Sequence, residues 1–168
     1  AAPGAVPAHG VHLSDADLRL LARRRCVIAH CPTANDFLLS GCMDLARVRR
    51  AGVSVALGSD VAGGPDRSMV RVARAMIETA QRLGNQPPTP AEAFFAITAG
   101  NADALGWPDA GRIAPGAPAD VVIIRPTIPW RAARDPLGAL LYGWDDRWIR
   151  RVLAAGRTAY TADQRPGR

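Results

Sequence analysis

The chain has 168 residues, 48% of them hydrophobic, and carries a net charge of +6 from 21 basic residues that are all arginine. Such a length buries one ordinary core, while no apolar run approaches the ~18 residues of a membrane span and no signal-peptide pattern is present. The arginines are scattered or close helices, as at Arg23–Arg25 and Arg49–Arg50, without the aromatic-interleaved stripe that binds single strands, so neither nucleic acid nor membrane is an expected partner.

Residues 1–8 read as the end of a strand that stops at His9-Gly10. Ser14 with Asp17 three residues on makes a capping box, opening a helix that runs through Leu18, Leu20 and Leu21 to about Arg25. The apolar run 26–29 is a second strand, ending at His30-Cys31-Pro32. A long loop follows, and its Phe37, Leu38 and Leu39 are expected to fold over a pocket. A helix over 43–51 stops at Gly52. The third strand, 53–57, has small and β-branched residues throughout and reads as buried on both faces.

Beyond Gly58 and Asp60, Gly63-Gly64-Pro65 turns the chain into the longest helix, 68–83, with Met69, Val72, Ala73, Met76 and Ala80 on one face. Thr89-Pro90 opens a further helix to about residue 99, and a short helical piece follows at 101–105. Residues 121–124 are a strand, 126–146 are expected to be mostly irregular, and 147–155 with 158–160 form a hairpin turning at Gly156-Arg157. A polar tail, 161–168, is expected to be disordered.

Three strand-then-helix units thus end in His9, His30 and Asp60. In a barrel of parallel strands the chemistry gathers at such C-terminal strand ends, and imidazole and carboxylate are ligand types suited to zinc. Taken together the three read as one wall of a metal-dependent active site. The three cysteines, Cys26, Cys31 and Cys42, fit neither a disulfide framework nor a zinc ribbon, and a reducing cytoplasm is expected. The opening Ala1-Ala2-Pro3 lacks an initiator Met, and the chain is expected to be the C-terminal piece of a longer one.

The stretches Ala8-His9-Gly10-Val11-His12-Leu13-Ser14, Ala29-His30-Cys31-Pro32-Thr33-Ala34-Asn35 and Leu57-Gly58-Ser59-Asp60-Val61-Ala62-Gly63-Gly64 closely resemble the amidohydrolase superfamily, and within it the guanine deaminases. Gly111-Arg112-Ile113, Ala119-Asp120-Val121-Val122 and Tyr142-Gly143-Trp144-Asp145-Asp146-Arg147 extend the likeness over residues 5–160. The resemblance implies an α/β fold, a partial (β/α)₈ barrel of strands six to eight in residues 1–110, with part of a small β-sandwich in 111–160. It implies zinc as cofactor, with another divalent ion such as Fe²⁺ the alternative, a purine or related heterocycle as substrate, and a homodimer of the full-length enzyme.

By the same resemblance Asp60 maps onto the last-strand metal ligand that also takes a proton from the attacking water. His9 maps onto the sixth-strand histidine that orients that water and contacts substrate. His30 either touches substrate or supports the site from behind. His12 is expected to be structural or exposed, Asn35 to hold its own loop, and Asp145–Asp146 to belong to a turn. The first-strand His-x-His, the fifth-strand His and the general-acid Glu of the superfamily do not occur here, so residues 1–168 alone are expected to be inactive. Asp66-Arg67 also departs from the pair usual in guanine deaminases. Deamination of guanine leads. Action on another aminated ring, such as 8-oxoguanine, an adenosyl compound or a triazine, and a non-catalytic fragment that only associates with other chains, are the alternatives.

Overall fold

The computed structural model describes residues 2–162. Its first sheet is parallel. Strand β1 (Val27–His30) pairs with β2 (Ser54–Leu57) in a register that sets His30 level with Leu57. Residues 5–9 lie along the other edge of β1, where Val27 N donates to Ala5 O, Ala29 N to Pro7 O and His9 N to Ala29 O. Pro7 has no donor, so this expected strand is reduced to a single bridge between Ala8 and Ala29.

Helices connect the parallel segments. Helix α1 (Asp15–Arg23) starts on the expected capping box, with Ser14 Oγ accepting from Asp17 N and the Asp17 carboxylate accepting from Ser14 N. Between β1 and β2 lie α2 (Pro32–Phe37) and α3 (Leu45–Arg50), the latter capped by Asp44. After β2 come α4 (Met69–Arg82), α5 (Pro90–Ala96), which Thr89 and Glu92 close with a second capping box, and α6 (Ala99–Ala104).

The second sheet is antiparallel, ordered β3 (Val121–Ile124), β4 (Ile149–Ala154), β5 (Arg157–Thr161). Its hairpin turns on Ala155-Gly156, with φ of +48° and +77°, one residue earlier than the sequence suggested. Between β3 and β4, Asp135 caps α7 (Pro136–Tyr142), which packs on α4 and α5.

One core joins the parallel sheet, its helices and α7. Leu18, Ile28, Met43, Val72, Met76 and Leu141, drawn from α1, β1, the α3 approach, α4 and α7, are each at most 1% exposed. Full burial of a side chain of this size contributes about 1.5–3 kcal/mol. The face expected of α4 is the one buried, Val72, Ala73, Met76 and Ala80 deeply and Met69 partly.

Four expectations change. The segment after Cys31 is helix rather than loop, because Pro32 sits at the first helical position, where its missing N–H costs nothing. Phe37, Leu38 and Leu39 are exposed and line no part of the cavity beside Leu45 and Arg49. They leave the end of α2 facing solvent, Leu39 at 90% exposure. Residues 126–146 contain α7, started by Asp135-Pro136 in the same manner. Thr161 belongs to β5 and Ala162 N donates to Arg150 O, while the remainder of the expected tail, 163–168, lies outside the described residues. Among the described residues no helix is long and apolar enough to cross a membrane.

Candidate active site

His9 stands at the centre of a γ-turn. Gly10 N reaches back to Ala8 O at 2.9 Å, and His9 itself takes φ +70°. This conformation is rare and strained for a residue with a Cβ. It breaks the run along β1 and throws the imidazole off the strand end. The ring is then tied down at one nitrogen: Nδ1 lies 2.8 Å from Oδ1 of Asn35, which projects from α2. Asn35 is itself 2% exposed.

Asp60 leaves β2 by a second strained turn. Its φ is +48° and that of Ala62 +87°, while Gly63 N and Gly64 N both donate to the Asp60 carbonyl at 3.0 and 2.6 Å. The two glycines serve close approach. A Cβ on Gly63 would stand 2.7 Å from Asp60 Oδ2, and one on Gly64 would stand 2.8 Å from the Ala34 Cβ. The Asp60 carboxylate therefore rests over Gly63, and the loop rests on α2. That helix holds both turns, through Asn35 on one side and Ala34 on the other.

The two turns bring His9 Nε2 to 3.8 Å from Asp60 Oδ2, with both side chains about two-fifths to one-third exposed on the same side. This exceeds a hydrogen bond. Two groups with lone pairs facing each other across that gap are suited to share a proton, a water or a cation. Cys31, buried beside them, has its thiol held up in pKa by burial first and by the Asp60 charge second. His30 is 1% exposed with no partner for either ring nitrogen among the described residues. Burial, then the charge of Arg49, then His9, push its pKa down to about 4, so it stays neutral near pH 7.

Among the residues expected at the site, the structure brings His9 and Asp60 together and sets His30 buried rather than at the open side. His12 is exposed. Asp145 pairs with Arg147, and Asp146 with Arg71 at 3.3 Å. Asp66 Oδ1 accepts from Ser68 N at the entrance of α4 and pairs with Arg71 at 3.1 Å. Asn35, expected to hold its own loop, instead reaches His9. A contact across 26 residues leaves no local sequence signal. Asn101 was also missed. From α6 its amide takes both backbone groups of Leu57, accepting from N at 2.7 Å and donating to O at 2.9 Å.

Zinc fits this wall in kind: one carboxylate and one imidazole converge from the two segments that flank β1, with the imidazole oriented from behind. Among the described residues no group of three or more His, Cys, Asp or Glu is arranged to hold a metal, so the wall supplies part of a ligand set. A cavity of about 320 Å³ between Leu45, Arg49, Asn85, Pro87 and Glu92 shares no residue with it.

Known proteins carry the same arrangement of chain. The sequence is 39% identical over 127 residues to a probable guanine deaminase of Deinococcus radiodurans, covering 74% of this chain and 29% of that protein. The structure superposes on the E. coli guanine deaminase with a TM-score of 0.88 at 30% identity, over 96% of this chain and 40% of that one. An adenosine deaminase from Xanthomonas campestris with bound zinc matches with a TM-score of 0.81 at 28% identity, over 93% of this chain and 37% of its own. The chain thus spans about a third of the length of these relatives. Residues 4–159 match the amidohydrolase family, and the chain belongs to it.

Proposed function

We propose that this chain forms one wall of the active site of a zinc-dependent aminohydrolase that converts guanine to xanthine and ammonia. In this reading residues 1–110 are barrel strands six to eight with their helices, and residues 111–160 are part of a β-sandwich. The observation that carries it is the convergence of His9 Nε2 and Asp60 Oδ2 across the end of β1, from the segments that flank it, on two strained turns, in a chain whose relatives include guanine deaminases.

Asp60 would hold the metal together with ligands from the rest of the enzyme. Zinc bound there supplies Lewis-acid activation of water. Asp60 accepts the proton that the attacking water gives up, and its open side leaves room for that transfer. His9 offers Nε2 to the same water and to the substrate ring, held in place by Asn35. His30 stays behind the strand ends as a neutral, buried support.

A second reading has one observation in its favour. Asp66, one of the pair that departs from the guanine-deaminase pattern, commits Oδ1 to both Arg71 and the α4 entrance, which leaves Oδ2 alone to meet a substrate edge. An adenosyl substrate is then the competitor, in line with the similarity to the adenosine deaminase.

The test is ammonia release by the full-length enzyme on guanine, 8-oxoguanine and adenosine, with Asp60→Asn and His9→Asn beside the parent. Guanine is expected to have the highest kcat/KM, and Asp60→Asn to lose about 10²–10⁴-fold in kcat, the range of a placed proton acceptor. Turnover of adenosine with none of guanine favours the second reading. Asp60→Asn retaining more than about a tenth of kcat with full zinc removes Asp60 from the chemistry.

A further inference from the structure

We propose that Asn35 is a positioning residue that fixes His9 as the Nδ1–H tautomer and so presents a bare Nε2 lone pair toward Asp60, an inference that rests on reading His9 and Asp60 as the reactive wall. With the Asn35 amide oxygen 2.8 Å away the imidazole nitrogen is the donor, whereas a reversed amide would donate to Nδ1 and leave the ring hydrogen on Nε2. A neutral imidazole has one N–H. With that hydrogen on Nδ1, Nε2 can only accept. It faces Asp60 Oδ2, also an acceptor, at 3.8 Å. The pair is therefore set to receive an O–H or a cation between them, which is what an attacking water requires.

Two further observations separate this from an incidental contact. Asn35 is 2% exposed, yet its Nδ2 has no hydrogen-bond partner among the described residues. An unpaired buried N–H is destabilising, so packing alone gives no reason for an amide here. Moreover α2 is anchored apart from its contact with His9: Ala34 packs against the Gly64 turn, and the Asn35 backbone carbonyl accepts from Ser40 N at 3.0 Å. The backbone that carries the amide is thus held in place independently of His9.

The experiment is ¹⁵N NMR of the full-length enzyme labelled in histidine, at about pH 8, above the ordinary imidazole range. His9 is assigned by its loss in His9→Asn. The expected result is Nδ1 protonated and Nε2 bare in the parent and in Asn35→Asp, which keeps the acceptor. Asn35→Leu should lose the fixed tautomer and about 10–100-fold in kcat, with KM and melting temperature unchanged. An Nε2–H signal at His9 in the parent overturns the proposal, as does Asn35→Leu with parental tautomer and rate. Should Asn35→Leu fail to fold, the parent spectrum still decides. A guanine deaminase with Nε2–H at His9 sinks this inference alone, whereas the expected tautomer in an enzyme inert toward guanine sinks only the substrate reading.

Discussion

Replacing Gly63 by alanine tests whether the position of the Asp60 carboxylate sets the rate. The new Cβ would stand 2.7 Å from Oδ2 and 3.1 Å from both Cγ and Oδ1. Ordinary contact begins at 3.4 Å, so the carboxylate has to move, by 0.7 Å if ordinary contact is to be restored. The backbone itself does not object, because Gly63 is not among the glycines with left-handed φ. The effect is therefore steric and local. A misplacement of about 1 Å at a reacting group costs about 10²-fold, so a loss of about 10- to 10²-fold in kcat is expected with little loss of stability. Gly84→Ala is the matched control: its φ is +68° with open space around the added carbon. It should cost about 1–2 kcal/mol of stability through backbone strain and leave the rate alone. The assay is kcat on guanine with zinc content and melting temperature for both variants. Gly63→Ala with parental kcat and full metal would refute the link between this loop and the chemistry.

Two other outcomes are expected. Asn101→Ala leaves the nearly buried Leu57 N and O without their partner, which should destabilise by about 2–4 kcal/mol in denaturant unfolding; a loss below about 0.5 kcal/mol would mean that water replaces the amide. His30 binds its proton less readily folded, at about 4, than unfolded, at 6.5. The unfolded state thus holds more protons across that window, and stability is full above about pH 6.5 and falls toward pH 4. At about 1.4 kcal/mol per pH unit the loss is about 3 kcal/mol, read as the difference between parent and His30→Leu in unfolding at pH 7 and pH 4; parallel curves would place His30 in contact with solvent.

The parallel segments and the long helix were legible because each carries its own signal. Residues 53–57 are apolar except for Ser54, and the α4 stripe repeats at three and four residues. His9 and Asp60 were legible for a different reason: they are polar residues placed where apolar runs end. Helices α2 and α7 were missed although both begin with a proline at the first helical position, after Cys31 and Asp135. In the first case a short, Ala- and Asn-containing piece gave no periodicity, and in the second the surrounding prolines and tryptophans masked a seven-residue helix. The strain at His9 and Asp60 was not legible at all, since a positive φ on a residue with a side chain is imposed by tertiary contacts. The roles of Asn35 and Asn101 belong to the same class, resting on partners 26 and 44 residues away.

The amide of Asn101 also acts as a stopper on the sheet. Gly58 N bonds to His30 O on the β1 side, so Leu57, one residue back, points its N–H and C=O away from β1. That outward edge is where another strand, or another molecule, would dock by continuing the ladder. At Leu57 both docking points are already taken by a side chain. A strand laid along β2 can therefore gain hydrogen bonds only from Val55 or earlier, and must end below the level of Leu57. The opening above, where Asp60 emerges three residues later, is kept clear of backbone, and at its top the edge offers an aggregating chain nothing to bind.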